Sequence, residues 1–109
     1  MLSRHGTLEG AILTTLWNLE ERGSKLNTVK DVFENIESDK RAYTTIKTVM
    51  DRLAEKNMLK RYKNGKKFCY KATETRSKMA NTAINKLLKQ YFNNDASLLL
   101  KTIEKECIK

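Results

Sequence analysis

Three threonines and a lysine crowd into the five positions from Thr44 to Thr48, in a stretch that otherwise has the pattern of a helix. Threonine is a mediocre helix former because its branched side chain loses rotamer freedom against the preceding turn. Its hydroxyl can, however, donate to a phosphate oxygen or accept from cytosine N4, and its methyl group can press against a thymine methyl. Small side chains also let a helix backbone approach a phosphate closely. The cluster therefore favours contact with nucleic acid, although an N-cap threonine and a neutral surface also explain it.

A second candidate for the same chemistry is the basic segment MLKRYKNGKKFCYKAT, which begins at Met58. Asn64-Gly65 supplies the two positive-φ residues of a type I′ turn and predicts a β-hairpin with strands of roughly 58–63 and 66–72. No acid lies between Met58 and Ala72. The cations of the hairpin are Lys60, Arg61, Lys63, Lys66, Lys67 and Lys71. This charge favours a polyanionic partner, with a solvated lysine-rich surface as the alternative.

The composition of the whole chain points the same way. The 109 residues carry a net charge of +9, and the sequence pI is about 9.7. A strongly basic chain of this length fits one small domain with an appendage and a nucleic-acid partner. Because lysine is far commoner than arginine, a compositional bias of the source proteome could also produce this charge.

Three helices precede the hairpin and would position the threonines. Thr7 is a plausible N-cap for a first helix through about Arg22, which Gly23 ends. SKLNT follows as a short extended connection, and Thr28 can cap a second helix. The third helix is predicted from about Tyr43 to Lys56. Its apolar stripe, spaced i, i+3, i+4 and i+7, is Ile46, Val49, Met50 and Leu53.

The burial of that stripe turns the other side of the third helix outward. The predicted outer face consists of Thr44, Lys47, Thr48, Asp51, Arg52 and Glu55, with Thr45 at its edge. Three helices followed by a basic hairpin form the plan of a winged helix-turn-helix, in which the third helix enters the major groove. The predicted fold class is therefore mainly α with a small antiparallel β-hairpin, and residues 1–72 form the DNA-binding domain.

Two further helices are predicted after the hairpin, from about Glu74 to Phe92 and from about Ala96 to Glu106, with NND between them. These amphipathic helices have little core of their own, so we predict that residues 73–109 form a dimerisation region. The candidate dimerisation residues are Ile84, Leu87, Leu88, Tyr91, Leu99, Leu100 and Ile103. In the alternative arrangement, the two helices fold back onto the first helix.

Enzymatic and metal chemistry find little support in the sequence. His5, Cys69 and Cys107 are too scattered for a zinc site or a Cys-His pair. The glycine and Ser/Thr of a P-loop are missing around Gly65. We predict no enzyme activity, no cofactor and no metal. No apolar run is long enough to span a membrane, and the N-terminus lacks the apolar core of a signal peptide, so the expected location is the cytoplasm.

The segment TTIKTVMDRLAEKNMLKRYKNGKKFCYKA resembles the penicillinase-repressor and methicillin-resistance-regulator family of bacterial winged-helix repressors, which also includes copper-responsive members. The recognition helix of that family has the pattern T-[VI]-x-T-x-[LM]-x-R-L-x-x-K-G. The matching positions are Thr45, Ile46, Thr48, Met50, Arg52, Leu53 and Lys56. Asn57 stands where the family usually has glycine, which is compatible with a left-handed helix end.

This resemblance implies a homodimeric transcriptional repressor that binds double-stranded DNA at a palindromic or near-palindromic operator. Carried onto this sequence, it places Thr45, Lys47 and Thr48 in the major groove. Thr44 and Arg52 would contact bases at the edge of the groove or phosphates. On the hairpin, the candidate DNA-binding residues are Arg61, Lys63, Lys66 and Lys67.

The sequence departs from the family at the motifs through which other members release DNA. Antibiotic-responsive members carry SLVLNFVEK, which a sensor protease cuts between Asn and Phe, whereas this chain has SLLLKTIEK with Lys101-Thr102 at that pair. Copper-responsive members carry a C-x-C…C-x-C cluster, whereas Cys107 stands alone. Neither release mechanism is therefore expected, and the inducer or partner protein is open. The chain ends at Lys109, so a smaller dimer interface is expected.

A function from another class also fits the sequence. A winged-helix module can act as an adaptor or antirepressor that binds protein without specific DNA readout. The dependence of binding on salt separates the two hypotheses, because neutralising phosphates releases counterions and binding to a protein partner does not.

Overall fold

The computed structural model describes residues 7–37 and 40–106 of the chain. His5 and Cys107, which the sequence analysis discussed, lie outside the described residues. The described chain divides into two units, one through Thr75 and one from Arg76 onwards. The first unit contains three helices and a two-stranded sheet, and the second contains two helices.

The first two helices begin at side-chain caps that the sequence predicted. Helix α1 spans Leu8–Glu21, and Thr7 Oγ1 accepts a hydrogen bond of 3.1 Å from the backbone amide of Gly10. Gly23 ends this helix with a φ of +97°, a conformation that glycine adopts without strain. Helix α2 spans Val29–Asn35 and begins with a capping box between Thr28 and Asp31.

Helix α3 spans Tyr43–Glu55 and is held by its predicted apolar stripe. Ile46, Met50 and Leu53 are fully buried in the core, where they pack with residues of α1 and α2. Complete burial of such side chains stabilises the fold by about 1.5–3 kcal/mol each. The stripe therefore compensates for the poor helix propensity of the threonines on the opposite side.

The hairpin consists of strands β1, Leu59–Asn64, and β2, Lys67–Ala72, which pair antiparallel. The prediction of its turn was wrong by one residue. Asn64 pairs with Lys67, so the central turn residues are Gly65 and Lys66, and of these two only Gly65 has a positive φ. Glycine in the first central position is typical of a type II′ turn. In this register Leu59 pairs with Ala72 and both are buried, so core packing outweighs the local preference of Asn-Gly.

The hairpin is fixed to the helices through Tyr70 and the connection before α2. The backbone amide of Tyr70 donates to the carbonyl of Asn27 at 2.7 Å, which gives β2 a second, one-residue pairing besides that with β1. Asn27 is fully buried, and its side-chain amide donates to the Ser24 carbonyl at 2.8 Å. The extended connection predicted for SKLNT is thus confirmed. Three helices with this hairpin form a winged helix, and the hairpin is called the wing below.

The second unit contains helix α4, Arg76–Tyr91, and helix α5, Ala96–Glu106. Helix α4 begins later than predicted, and the carbonyl of Glu74, which precedes it, accepts a hydrogen bond of 3.0 Å from Trp17 Nε1. Asn93 and Asn94, with φ values of +49° and +59°, separate the two helices. Asp95 Oδ1 then accepts from the Ser97 amide at 2.9 Å and caps α5.

Candidate nucleic-acid interface

The outward side of α3 presents the threonines and cations that the sequence singled out. All five candidate side chains of this helix are exposed, and they are called the reading face below: Thr44, Thr45, Lys47, Thr48 and Arg52. Helix α3 begins after Ala42, which makes no side-chain capping hydrogen bond. The threonines therefore lie inside the helix and none of them caps it, which removes the N-cap explanation of the cluster.

Thr48 shows which of its groups a threonine here offers to solvent. Its hydroxyl donates to the carbonyl of Thr44 at 2.9 Å, one turn back along the helix. That donation uses the hydroxyl proton and leaves the oxygen lone pairs and the methyl group for a partner. Such a side chain suits an amino group or a thymine methyl better than it suits an acceptor.

The wing carries exposed cations beside an exposed aromatic ring. Its four candidate residues, Arg61, Lys63, Lys66 and Lys67, are all exposed. The Arg61 guanidinium carbon lies 4.6 Å from the ring centroid of Phe68, and Lys63 Nζ lies 5.6 Å from it. Phe68 is 42% exposed. The ring therefore orders two of the cations without neutralising their charge.

Asp51 joins the reading face to the wing. Its Oδ2 atom accepts a hydrogen bond of 2.9 Å from Lys47 Nζ, one turn earlier on α3. Its Oδ1 atom accepts from Arg61 Nη1 of β1 at 3.1 Å and from the hydroxyl of Tyr70 of β2 at 2.6 Å. One carboxylate thus receives donors from three elements of the first unit.

The ionisation of this group follows from its contacts. Burial of Asp51 by itself would raise its pKa, but hydrogen bonds from Tyr70, Lys47 and Arg61, with the charge of Lys47, leave the pKa below its usual value. The hydrogen bond to Asp51 raises the pKa of Arg61. Burial, together with the hydrogen bond to Asp51, raises the pKa of Tyr70 to about 12. At neutral pH, Asp51 is therefore charged and Tyr70 is a neutral donor.

The sequence analysis placed Asp51 on the outer face of α3 but missed its partners. The spacing of Lys47 and Asp51, four residues apart in a helix, was a visible signal for their ion pair. The contacts with Arg61 and Tyr70 depend on how the wing packs beside α3, and no local pattern encodes that.

A cavity of about 320 Å³ opens beside Asp51 between α2, α3 and β2. Three lysines and three aromatic residues contribute to its wall. Its lining residues are Thr28, Val29, Lys30, Tyr43, Lys47, Lys67, Phe68 and Tyr70. Lys47 Nζ is already paired with Asp51, so the basic wall of the cavity is partly neutralised. The cavity lies beside the N-terminal end of α3, where an anion is favoured.

Comparison with known proteins shows the family and the fold of this chain. The model of the family described as penicillinase repressor matches residues 5–109. The chain belongs to the penicillinase repressor family. Comparison with curated proteins gave no match.

A solved structure similar to this member of the family is that of the monomeric form of BlaI from Bacillus licheniformis in complex with the blaP half-operator. The two chains are 22% identical, with a TM-score of 0.50, over 71% of this chain and 89% of that chain. This likeness supports the winged-helix fold.

Helices α4 and α5 carry the candidate dimerisation residues of this family member. Of these residues Ile84, Leu87, Tyr91, Leu100 and Ile103 are exposed, and Leu88 and Leu99 are half-buried. Tyr91 is 73% exposed and Leu100 is 58% exposed. In both helices, which lie within the described part of the chain, no residue is buried. The single chain thus leaves these apolar side chains largely uncovered.

Within residues 7–37 and 40–106, no group of three or more His, Cys, Asp or Glu side chains is placed to hold a metal ion. Over the same part of the chain, no helix is both long enough and apolar enough to cross a membrane. Cys69, which is described, is a buried free thiol.

Proposed function

We propose that this protein is a sequence-specific DNA-binding transcriptional repressor that acts as a homodimer on a palindromic operator. The observation that carries the proposal is the continuity of the reading face with the wing. Lys47 of α3 and Arg61 of β1 contact the same carboxylate, so exposed threonines and exposed cations lie on adjacent elements of one unit. The family membership, and a solved BlaI structure of the same fold that contains a half-operator, support it.

The chemistry of each side chain suggests its part in binding. Thr45, Lys47 and Thr48 would contact base edges in the major groove, since they are exposed in the first turns of α3. Thr44 and Arg52 would contact phosphates or bases at the edge of the groove. The wing cations Arg61, Lys63, Lys66 and Lys67 would follow the DNA backbone, where they add affinity without reading sequence.

The second unit would supply the symmetry that a palindrome requires. We propose that residues 1–72 bind DNA and that residues 73–109 pair with the same residues of a second chain. The exposed apolar side chains of α4 and α5 would be buried in that dimer. The dimer would act in the cytoplasm as a binding protein rather than as an enzyme.

The release of DNA would not follow the cleavage known for antibiotic-responsive members of the family. In α5, Lys101-Thr102 replaces the scissile Asn-Phe pair, and Thr102 Oγ1 donates to the Leu98 carbonyl at 3.0 Å within the helix. Release, if it is triggered at all, would depend on a ligand or a partner protein.

A salt titration tests the proposal against a protein-binding module. The chain is mixed with a duplex from its own upstream region and with an unrelated duplex of equal length, and affinity is measured at several salt concentrations. For a repressor, log affinity falls with log salt with a slope of about −0.9 per phosphate contacted, and the upstream duplex binds more tightly. Absence of binding, or binding that ignores salt, favours an adaptor or antirepressor instead.

A further inference from the structure

Asp51 is an acid on the side of the protein that would face a polyanion. It is the shared acceptor for Lys47 at 2.9 Å and Arg61 at 3.1 Å, and both of these cations belong to the proposed DNA-binding set. Tyr70, which is 1% exposed, fixes the carboxylate from behind with a hydrogen bond of 2.6 Å. The carboxylate is therefore anchored, whereas its two cationic partners are exposed.

The network limits what Lys47 and Arg61 can do on DNA. To contact a phosphate or a guanine, either cation must leave Asp51 or contact Asp51 and the DNA at the same time. Exposed ion pairs are weak, so one cation can exchange its partner readily. If both leave, the Asp51 charge lies against the DNA with only the Tyr70 hydroxyl to stabilise it, and leaving a charge unpaired in an interface is unfavourable.

A base edge can remove that disadvantage, whereas the phosphate backbone cannot. In the major groove, the amino groups of cytosine and adenine are donors, and an aspartate can accept from cytosine N4. Phosphate oxygens are acceptors only and repel the carboxylate. Every base pair carries one such amino group, so what matters is its position. A site that places an amino group opposite Asp51 can take up both cations, and a duplex whose base pairs place it elsewhere cannot.

We propose that Asp51 is a specificity-determining residue, which retains Lys47 and Arg61 on nonspecific DNA and releases both where the operator presents an amino group to it. This inference rests on the proposed function. It assigns to an acid a discrimination that is added to any base contact of Lys47, because lysine and arginine also attract the phosphates of every sequence.

The test compares Asp51→Asn with the unchanged protein on an operator duplex and on a random duplex over a range of salt concentrations. In Asp51→Asn, the affinity for random DNA should rise, and its salt slope should steepen by up to about two phosphate contacts' worth. The affinity for the operator should rise less or fall. The ratio of specific to nonspecific affinity should then decrease roughly tenfold, because both cations become free on every duplex, while the asparagine oxygen can still accept from an amino group.

Three further variants make the result decisive. Glu55→Gln removes the same charge from an exposed position further along α3 and should leave the affinity ratio unchanged. Asp51→Glu keeps the charge and should retain part of the ratio of specific to nonspecific affinity. Asp51→Ser also removes the charge and has a smaller side chain, so it replaces Asp51→Asn if asparagine does not fit. Thermal melts show whether each variant is folded.

Two outcomes overturn the inference while leaving the proposed function intact. In the first, Asp51→Asn raises operator and random affinity by the same factor, as Glu55→Gln would if only net charge mattered. In the second, the affinity ratio and the salt slope do not change. If the unchanged protein shows no salt-dependent binding to its upstream DNA, the proposed function itself fails, and this inference fails with it.

Discussion

The side chains of the reading face differ in what they can offer a base pair. Thr48 gives its hydroxyl proton to the Thr44 carbonyl and turns oxygen lone pairs and a methyl group outward. Lys47 holds its ammonium group on Asp51, one turn further along. A donor, an acceptor and a methyl group thus lie within two turns of one helix. This variety distinguishes the face from a merely basic surface, and it is the reason to expect sequence preference.

Thr48→Ala tests that expectation. We expect operator affinity to fall roughly tenfold more than random-duplex affinity, because one base contact is lost while the phosphate contacts stay. The melting temperature should not decrease, since alanine is the better helix former. Thr14→Ala, a control at an exposed position in α1, should leave both affinities unchanged. Equal losses on both duplexes in Thr48→Ala would count against a base-reading role.

The raised pKa of Tyr70, which donates to Asp51, can be measured at high pH. An unperturbed phenol titrates near pH ~10, whereas Tyr70 in the folded protein has a pKa raised to about 12. The folded state therefore holds the proton more tightly. The resulting stability is fully present below the unfolded pKa and is lost as the pH rises from about 10 through about 12.

Tyr70→Phe should therefore flatten the loss of unfolding free energy in that alkaline range. It should also remove the late phase from a spectrophotometric titration of tyrosinate. Tyr91→Phe, which changes an exposed tyrosine, is the control and should keep the late phase. A titration in which Tyr70→Phe and the unchanged protein lose stability in parallel would contradict the raised pKa of Tyr70.

Among the elements, those with local signals could be predicted from the sequence. The stripe of α3, with Ile46 and Leu53 in the core, follows from helical spacing alone, and Thr7 and Thr28 cap their helices as expected. The turn of the wing could not be predicted to the residue, because the pairing of Leu59 with Ala72 is a matter of core packing.

The wing is the element that should contribute affinity without specificity. Replacing Lys66 and Lys67 together by glutamine should weaken binding to every duplex and reduce the salt slope by up to about two phosphate contacts' worth. The same double change at Lys101 and Lys105 of α5 alters the net charge equally outside the wing and should leave the slope unchanged. An unchanged slope in the wing variant would remove the wing from the interface.

On the scale of the whole molecule, the winged helix has a core of its own, whereas α4 and α5 bury no residue. Amphipathic helices with exposed leucines are stable when a partner covers them. The winged helix has its own core and does not require α4 and α5 for it. The proposed homodimer thus accounts for the exposed apolar side chains of these two helices.

Leu100→Glu should convert the proposed dimer into a monomer. Leu100 is 58% exposed in the single chain, so the substitution should not destabilise the monomer, but it would place a charge in the dimer interface. Sedimentation should show half the mass, and operator affinity should drop because each half-site is then bound alone. Lys101→Glu, at the next position of α5, is the control. A mass equal to that of the unchanged protein would contradict the assigned interface.

Protection footprinting across the DNA upstream of the chain's own coding sequence reports binding, symmetry and spacing together. We expect two symmetry-related protected half-sites whose centres lie about one helical turn, or a multiple of it, apart. Protection confined to one half-site would contradict the homodimer on a palindrome, and uniform or absent protection would contradict sequence-specific repression.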